Sequence, residues 1–369
     1  MRRRILLHAA SLIGGGAERV IVLMANELAA RGHDVTLLTW NADGPNARLR
    51  GDAVRLIDLG FPIRNEGFGK PLTLRGLWRT SRLIRQLDPE IVFSGPEFAN
   101  LIMALALLLA RSKARFFPTF HAANDLRSSN LGSNLAVRLR RLLGTRATKA
   151  IAVSAGVGRD IAQTGFPADK IAVIHNPLPF ALAQANAQYP WQAELATLGD
   201  GPVIASVGRL VPVKDHRTLF AAFAALTARR PARLVLFGNG PLETELRAYA
   251  VELGIAPHVL FAGYVNDPAA CYLAADLLVS SSTSEGFGNV LIEAMAAGVP
   301  VVSTDAPYGP REILRDGRFG TLVPVGNAAA LAAAMAEMLD RPTPASELKG
   351  RAADFSIERI GDQYEALFA

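Results

Sequence analysis

The stretch from Ser280 to Asp305 constrains this chain more than any other, and its centre reads Ser284-Glu285-Gly286-Phe287-Gly288-Asn289-Val290-Leu291-Ile292-Glu293-Ala294-Met295. Two glycines flank Phe287 and serines precede Glu285, so the first carboxylate belongs to a loop. The second belongs to a helix predicted to begin near Asn289 and stop at Gly298, a suitable C-terminal cap, with Pro300 just beyond. At about 100° per residue, Val290, Leu291, Ile292, Ala294, Met295, Ala296 and Ala297 cover every direction around that helix. A helix apolar all round is a buried one. Glu293 alone interrupts it, and a buried carboxylate has to meet hydrogen-bond donors or a cation.

Ribose and sugar hydroxyls are such donors; an internal Arg or backbone amides would serve equally in a purely structural role. Asn289 and Val290 place amides at a helix N-terminus, where phosphate binds readily, and Glu285 stands one loop away. Acceptors for hydroxyls beside donors for a phosphate suit a nucleotide sugar. The run Glu285-Gly286-Phe287-Gly288-Asn289-Val290, then Glu293-Ala294-Met295-Ala296-Ala297-Gly298-Val299-Pro300-Val301-Val302, resembles the carboxylate signature of the retaining glycosyltransferases of family four, which are built on the two-domain GT-B fold. The resemblance implies that Glu285 contacts the donor sugar's hydroxyls and that Glu293 holds the ribose diol. Gly286, Phe287, Gly288, Asn289 and Val290 join them as donor-binding positions.

The chain is long enough, at 369 residues, for two domains with separate cores. Half of its residues are hydrophobic, which agrees with parallel sheets covered on both faces. Strands are expected at Arg4 to His8, Val35 to Trp40, Val54 to Leu59, Ile91 to Ser94, Ala114 to His121 and Lys149 to Ser154. Helices are expected at Ala17 to Arg31 and near 73–87, 97–111 and 133–147. This alternation reads as a parallel sheet with helices on both faces. From Ile171 to Pro202 it loosens, then restarts with strands at Val203 to Val207, Arg233 to Phe237, Val259 to Gly263, Leu277 to Ser281 and Val299 to Ser303.

The expected architecture is therefore α/β: GT-B, with two doubly wound, Rossmann-like parallel-sheet domains facing a cleft. Residues 1–175 form the first and 202–350 the second, with 176–201 as linker and a C-terminal helix in 351–369 packing back on the first. The resemblance assigns the acceptor to the first domain and the nucleotide sugar to the second.

Several shorter motifs carry chemistry. Gly14-Gly15-Gly16-Ala17-Glu18-Arg19 follows the first strand and opens a helix, a layout for phosphate at the helix's positive end or simply a tight turn. Arg19 stands where a dinucleotide fingerprint requires glycine. The family carries a Gly-Gly-x-Glu element here, so Gly15, Gly16 and Glu18 face the donor diphosphate and acceptor by resemblance. Arg209 and Lys214, five residues apart after a strand and Gly208, can converge on one diphosphate or stand as separate surface charges. The chain contains no Asp-x-Asp, so charge building on a departing diphosphate falls to side chains and helix ends. Arg209 and Lys214 match the family's cations for that task, and no metal or other cofactor is expected.

His121 ends a strand and matches a family histidine near the donor sugar; a lone histidine there is more often structural. Gly238 and Gly240, with Pro241 at a helix's first turn, and Tyr264 after a strand lie where the family holds its base, and each is otherwise an ordinary strand end. Glu312 either belongs to the last such segment or favours its own helix N-terminus. The lone Cys271 excludes an internal disulfide.

Charge divides unevenly: Met1 to Phe180 carries a net +12 and the remainder −6. The first part thus faces something anionic. Arg75, Arg79, Arg82 and Arg85 share one helix face with Trp78, after a loop containing Phe68, which describes either an interfacial helix on anionic lipid or a solvated face. The start, Arg2-Arg3-Arg4-Ile5-Leu6-Leu7-His8, imitates a signal peptide, but His8 cuts the apolar run short. Nucleic acid is not expected as a partner. The expectation is a cytoplasmic, metal-independent enzyme, at most peripheral on the inner face of the membrane, moving a hexose or N-acetylhexosamine from a UDP-sugar to a lipid-linked glycan acceptor. A nucleotide-sugar epimerase and a non-catalytic nucleotide- or membrane-binding module are the rival readings.

Overall fold

The computed structural model describes all residues except Gly14, 63–68, 122–139, 179–188, Asn266 and Ala369. Phe68, residues 133–139 of the helix expected over 133–147 and the Ala/Gln-rich part of the linker lie outside the described residues, while 140–146 are helical. The chain divides into two compact units, Met1–Pro179 with Ser356–Ala369, and Phe180–Phe355.

Among the described residues the first unit is built on seven strands: β1 (Arg4–Ser11), β2 (Asp34–Asn41), β3 (Arg55–Asp58), β4 (Ile91–Ser94), β5 (Arg115–Phe120), β6 (Ala150–Ala152) and β7 (Ile171–Val173). They pair in parallel in the order β3-β2-β1-β4-β5-β6-β7, with Ile5 opposite both Val35 and Ile91. Helices on both faces explain why the central strands read as unbroken apolar runs. Helix Gly16–Ala30 buries Val20, Ile21, Met24 and Leu28 against the sheet. The direction of winding reverses between β1 and β4, so the loops leaving them diverge and open a crevice at the strand C-termini.

Helix Ile357–Ala366 completes this unit from the far end of the chain. Its Ile360 and Tyr364 are buried, Tyr364 with its ring 5.1 Å from that of Phe93. Arg31 clamps it, donating to Asp362 at 2.7 Å, Glu365 at 2.8 Å and the Glu358 carbonyl at 2.6 Å, while also bonding Glu27. At that crossing a Cβ on Gly361 would overlap the guanidinium and displace it.

Among its described residues the second unit has six parallel strands: β8 (Val203–Val207), β9 (Arg233–Phe237), β10 (Val259–Gly263), β11 (Leu277–Ser280), β12 (Val301–Thr304) and β13 (Thr321–Val323). Their order is β10-β9-β8-β11-β12-β13, which puts the reversal between β8 and β11. Leu219, Phe220 and Phe223 of helix His216–Thr227 fill the core beside Leu234 and Leu236 of β9.

Two doubly wound parallel sheets are thus present as expected, with two edge strands, β7 and β13, beyond those the sequence suggested. Each is three residues long and half-exposed at its first two positions, so neither leaves an apolar run to recognise. Within the stretch read as linker, Pro190–Ala196 is a helix whose Trp191 is buried edge-on against Phe237 at 4.9 Å. Among the described residues no helix is long and apolar enough to cross a membrane.

Candidate functional site

The loops leaving β8, β9 and β11 gather most of the expected site residues at the C-terminal edge of the second unit's sheet. Lys214, after β8, and Glu285, after β11, meet across the reversal point: Lys214 Nζ lies 2.5 Å from Glu285 Oε1. The same oxygen accepts from Ser282 Oγ at 2.7 Å. Lys214 is anchored in turn by its own carbonyl, which accepts from Ser281 Oγ at 2.8 Å. The two opposite charges expected on different parts of a donor therefore hold each other. Arg209 is exposed and, among the described residues, makes no ion pair.

Glycines let these loops approach one another. Gly208 N donates to the Phe237 carbonyl, Leu210 N to Asn239, and Gly238 N to Gly263, which strings the ends of β8, β9 and β10 together. At Gly238, with φ +135°, a Cβ would overlap the Gly208 carbonyl oxygen, and at Gly240 it would overlap that of Leu210. Tyr264, just beyond, is 59% exposed.

Helix Asn289–Ala297 begins after Gly288, at φ +102°, a residue with no side chain to cap it, and ends on Gly298. Gly286 and Val290 are half-buried. Phe287 is not available to a ligand through its ring, which is buried edge-on against Phe355 at 5.6 Å; it anchors the loop. Glu293 is 6% exposed. Its Oε2 accepts from the hydroxyl of Tyr272 at 2.5 Å, a partner 21 residues away that the sequence did not disclose. Burial first, and then the charge of Glu293, push the neighbouring Cys271 thiol up to about 12, so it stays neutral.

In the first unit, helix Gly16–Ala30 starts on Gly15, again without a side-chain cap. A Cβ on Gly15 would overlap the carboxylate of Glu18, which folds back over this turn. Burial raises the Glu18 pKa, opposed by a hydrogen bond from its own amide. His121 follows β5. Its Nε2 is 2.9 Å from Thr119 Oγ1, whose single proton is donated to the Ser94 carbonyl at 2.8 Å. Thr119 can then only accept from the ring, which assigns the proton to Nε2 and leaves Nδ1 as a lone pair. That Nδ1 is buried and has no hydrogen-bond partner among the described residues. Burial lowers the ring's pKa to about 4, so it is neutral at pH 7.

Helix Gly69–Leu87 presents Arg75, Trp78, Arg82 and Arg85 outward, Trp78 being 59% exposed, with Arg82 over its ring. Arg79 departs from that face: it is half-buried, its guanidinium 5.6 Å above the Phe61 ring. The opposite face seats Gly76 and Thr80 on Trp40, whose indole N–H donates to Thr80 Oγ1 at 3.0 Å. Among the described residues no three His, Cys, Asp or Glu side chains gather as a cation site.

Two parallel α/β units, with a cation and a carboxylate joined at the winding reversal of the second, define a GT-B protein. Solved structures agree on the fold: Anabaena HepE in complex with UDP and glucose superposes with a TM-score of 0.81 at 23% identity, covering 100% of this chain and 99% of that one. The model of Glycosyltransferase Family 4 matches residues 14–181 and that of glycosyl transferases group 1 matches residues 190–355. The lipopolysaccharide core biosynthesis glycosyltransferase LpsE of Rhizobium meliloti is 30% identical over 361 residues, 96% of each chain. A 4-alpha-N-acetylgalactosaminyltransferase of Campylobacter jejuni, acting on N-acetylgalactosamine-N,N'-diacetylbacillosaminyl-diphospho-undecaprenol, is 37% identical over 161 residues, 42% of this chain and 44% of the relative. The chain belongs to the family 4, group 1 glycosyltransferases, enzymes that use nucleotide sugars.

Proposed function

We propose that this glycosyltransferase moves a hexose or N-acetylhexosamine from a UDP-sugar to a hydroxyl of a lipid-linked glycan during surface polysaccharide assembly, with retention at the anomeric carbon. The observation that carries the reading is the Lys214–Glu285 pair at the reversal between β8 and β11, where open α/β sheets bind their ligands. Lys214 and Arg209 take the diphosphate, Glu285 the sugar hydroxyls and Glu293 the ribose diol. Gly238, Gly240 and Tyr264 border the base, and the amides of Gly288, Asn289 and Val290 face the phosphates. In the first unit, Gly15, Gly16 and Glu18 are assigned to the diphosphate and acceptor, and His121, through the Nδ1 lone pair, to a sugar hydroxyl. The acceptor belongs to the first unit and the nucleotide to the second.

In the step itself, the bond from the anomeric carbon to the phosphate oxygen breaks and a bond to the acceptor oxygen forms on the same face. The departing phosphate oxygen receives the acceptor's proton. Charge growing on the diphosphate meets Lys214, Arg209 and the N-terminal turn of helix Asn289–Ala297, which is why we assign no metal to the reaction. The exposed Arg75, Trp78, Arg82 and Arg85 suit an anionic membrane surface, where a lipid-linked acceptor resides and where a peripheral enzyme on the cytoplasmic side would work. The C. jejuni relative's undecaprenol-linked acceptor supports that class.

A transfer assay tests the reading: UDP-sugars with undecaprenyl-diphosphate-linked saccharides in anionic vesicles, with EDTA present throughout. The expected product is an elongated lipid-linked saccharide whose new anomeric configuration matches the donor's. An inverted product would refute retention. Strict dependence on added divalent metal would refute the metal-free route, and a rearranged nucleotide sugar without transfer would favour an epimerase.

A further inference from the structure

We propose that Tyr272 is a positioning residue of the nucleotide site: its hydroxyl pins Glu293 Oε2 and so turns the carboxylate to receive the ribose diol. The inference rests on the assignment of Glu293 to the ribose made above.

Tyr272 sits on the short helix Pro268–Leu273, which Asp267 starts by accepting from Ala269 N. Its side chain is fully buried, and its hydroxyl stands 2.5 Å from Glu293 Oε2 in the middle of helix Asn289–Ala297. An ionised carboxylate only accepts, so the direction of this bond is fixed: the phenol donates. A carboxylate offers about four lone-pair sites and the phenol uses one of them. The others keep a set orientation, because the phenol hydroxyl moves only with a ring that packing holds still. A glutamate side chain without such a brace has three torsions to fix, and its hydroxyl ligand would carry that ordering cost on binding. Phenylalanine would fill the same space. What tyrosine adds at this position is one proton aimed at Glu293.

The ribose itself supplies the test. Affinities are measured by calorimetric titration for UDP, GDP and ADP; the tightest is then compared with its 2′-deoxy form, on the wild type, Tyr272→Phe, Tyr272→His and Glu293→Gln. The wild type is expected to prefer the ribonucleotide by about tenfold or more, the size of a hydrogen bond to a charged group. In Tyr272→Phe the preference is expected to shrink to about twofold or less, through weaker ribonucleotide binding, while affinity for the 2′-deoxy form, which keeps only the 3′-hydroxyl for Glu293, falls by less. Tyr272→His, which keeps a ring with an N–H donor, is expected to regain part of the preference. It also keeps the test open if the phenylalanine variant does not hold its fold. Undiminished preference in Tyr272→Phe, or equal loss for both nucleotides, would reduce Tyr272 to packing and leave Glu293 on the ribose. No preference in the wild type, or a full one in Glu293→Gln, would overturn the Glu293 assignment and this inference with it.

Discussion

Replacing Glu285 by Gln is expected to tighten the binding of a free nucleoside diphosphate while removing sugar transfer. In the free protein Lys214 Nζ is held by Glu285 Oε1 at 2.5 Å, with the side chains 23% and 12% exposed. A diphosphate that draws Lys214 has first to part that pair. Breaking a fully buried ion pair costs about 3–5 kcal/mol and an exposed one about 0–1. This pair lies between, and Ser282 Oγ stays on Glu285 to soften the loss, so about 1–2 kcal/mol is reasonable. Glutamine keeps the shape and gives up the charge, which frees Lys214 in advance. Affinity for the nucleoside diphosphate should rise by about five- to thirtyfold, whereas transfer should fall by about a hundredfold or more as the sugar loses its carboxylate. Titration calorimetry reads the first and a transfer assay the second. Unchanged or weaker nucleotide binding in Glu285→Gln would mean that Lys214 either stays on Glu285 when phosphate binds or never meets it.

Arg31→Ala is expected to cost about 2–4 kcal/mol at the C-terminal helix, since its guanidinium serves carboxylates of Glu27, Asp362 and Glu365 and the Glu358 carbonyl. Amide exchange across 357–366 should accelerate accordingly, and unchanged protection would show the clamp to be idle. His8 is fully buried, and burial lowers its pKa to about 4 from 6.5. The folded state therefore resists a proton that the unfolded chain accepts; this stability is present above pH 6.5 and is lost as the pH falls towards 4. His8→Phe should flatten the dependence of the urea midpoint on pH in that window, and an unaltered slope would contradict the buried neutral ring. Arg75→Glu with Arg82→Glu should weaken binding to anionic vesicles about tenfold or more with nucleotide affinity intact. Undisturbed vesicle binding would return that helix face to plain solvation.

Where apolar β-branched runs lie between glycines and prolines, the chain could be read closely: β4, β8, β9 and β10 have the bounds their sequence suggested. The short edge strands β7 and β13 escaped because three residues on a sheet's rim need no such run; Val173 is 42% exposed. The residues that bear chemistry were legible because a charge on an apolar helix, or beside glycines, is conspicuous. Their supports were not. Ser282, Tyr272 and Thr119 are unremarkable as letters: the turn of its loop brings Ser282 to Glu285, the packing of helix Pro268–Leu273 on helix Asn289–Ala297 brings Tyr272 to Glu293, and the register of β4 with β5 gives Thr119 the Ser94 carbonyl that settles its bond to His121. Arg79 shows the limit from the other side. Helical periodicity puts it with Arg75 and Arg82, yet the Phe61 ring draws it from that face.

The central claim is that a nucleoside diphosphate binds through Lys214 at the reversal between β8 and β11. Thermal unfolding of the wild type and of Lys214→Ala with UDP, GDP and ADP tests it most directly. Ligand at about a hundred times its dissociation constant adds about 2.7 kcal/mol, a rise of several degrees for units of this size. One nucleoside diphosphate is expected to raise the wild-type midpoint by that amount and to leave the folded variant almost unmoved. An equal rise in the variant, or none with any of the three, would contradict it.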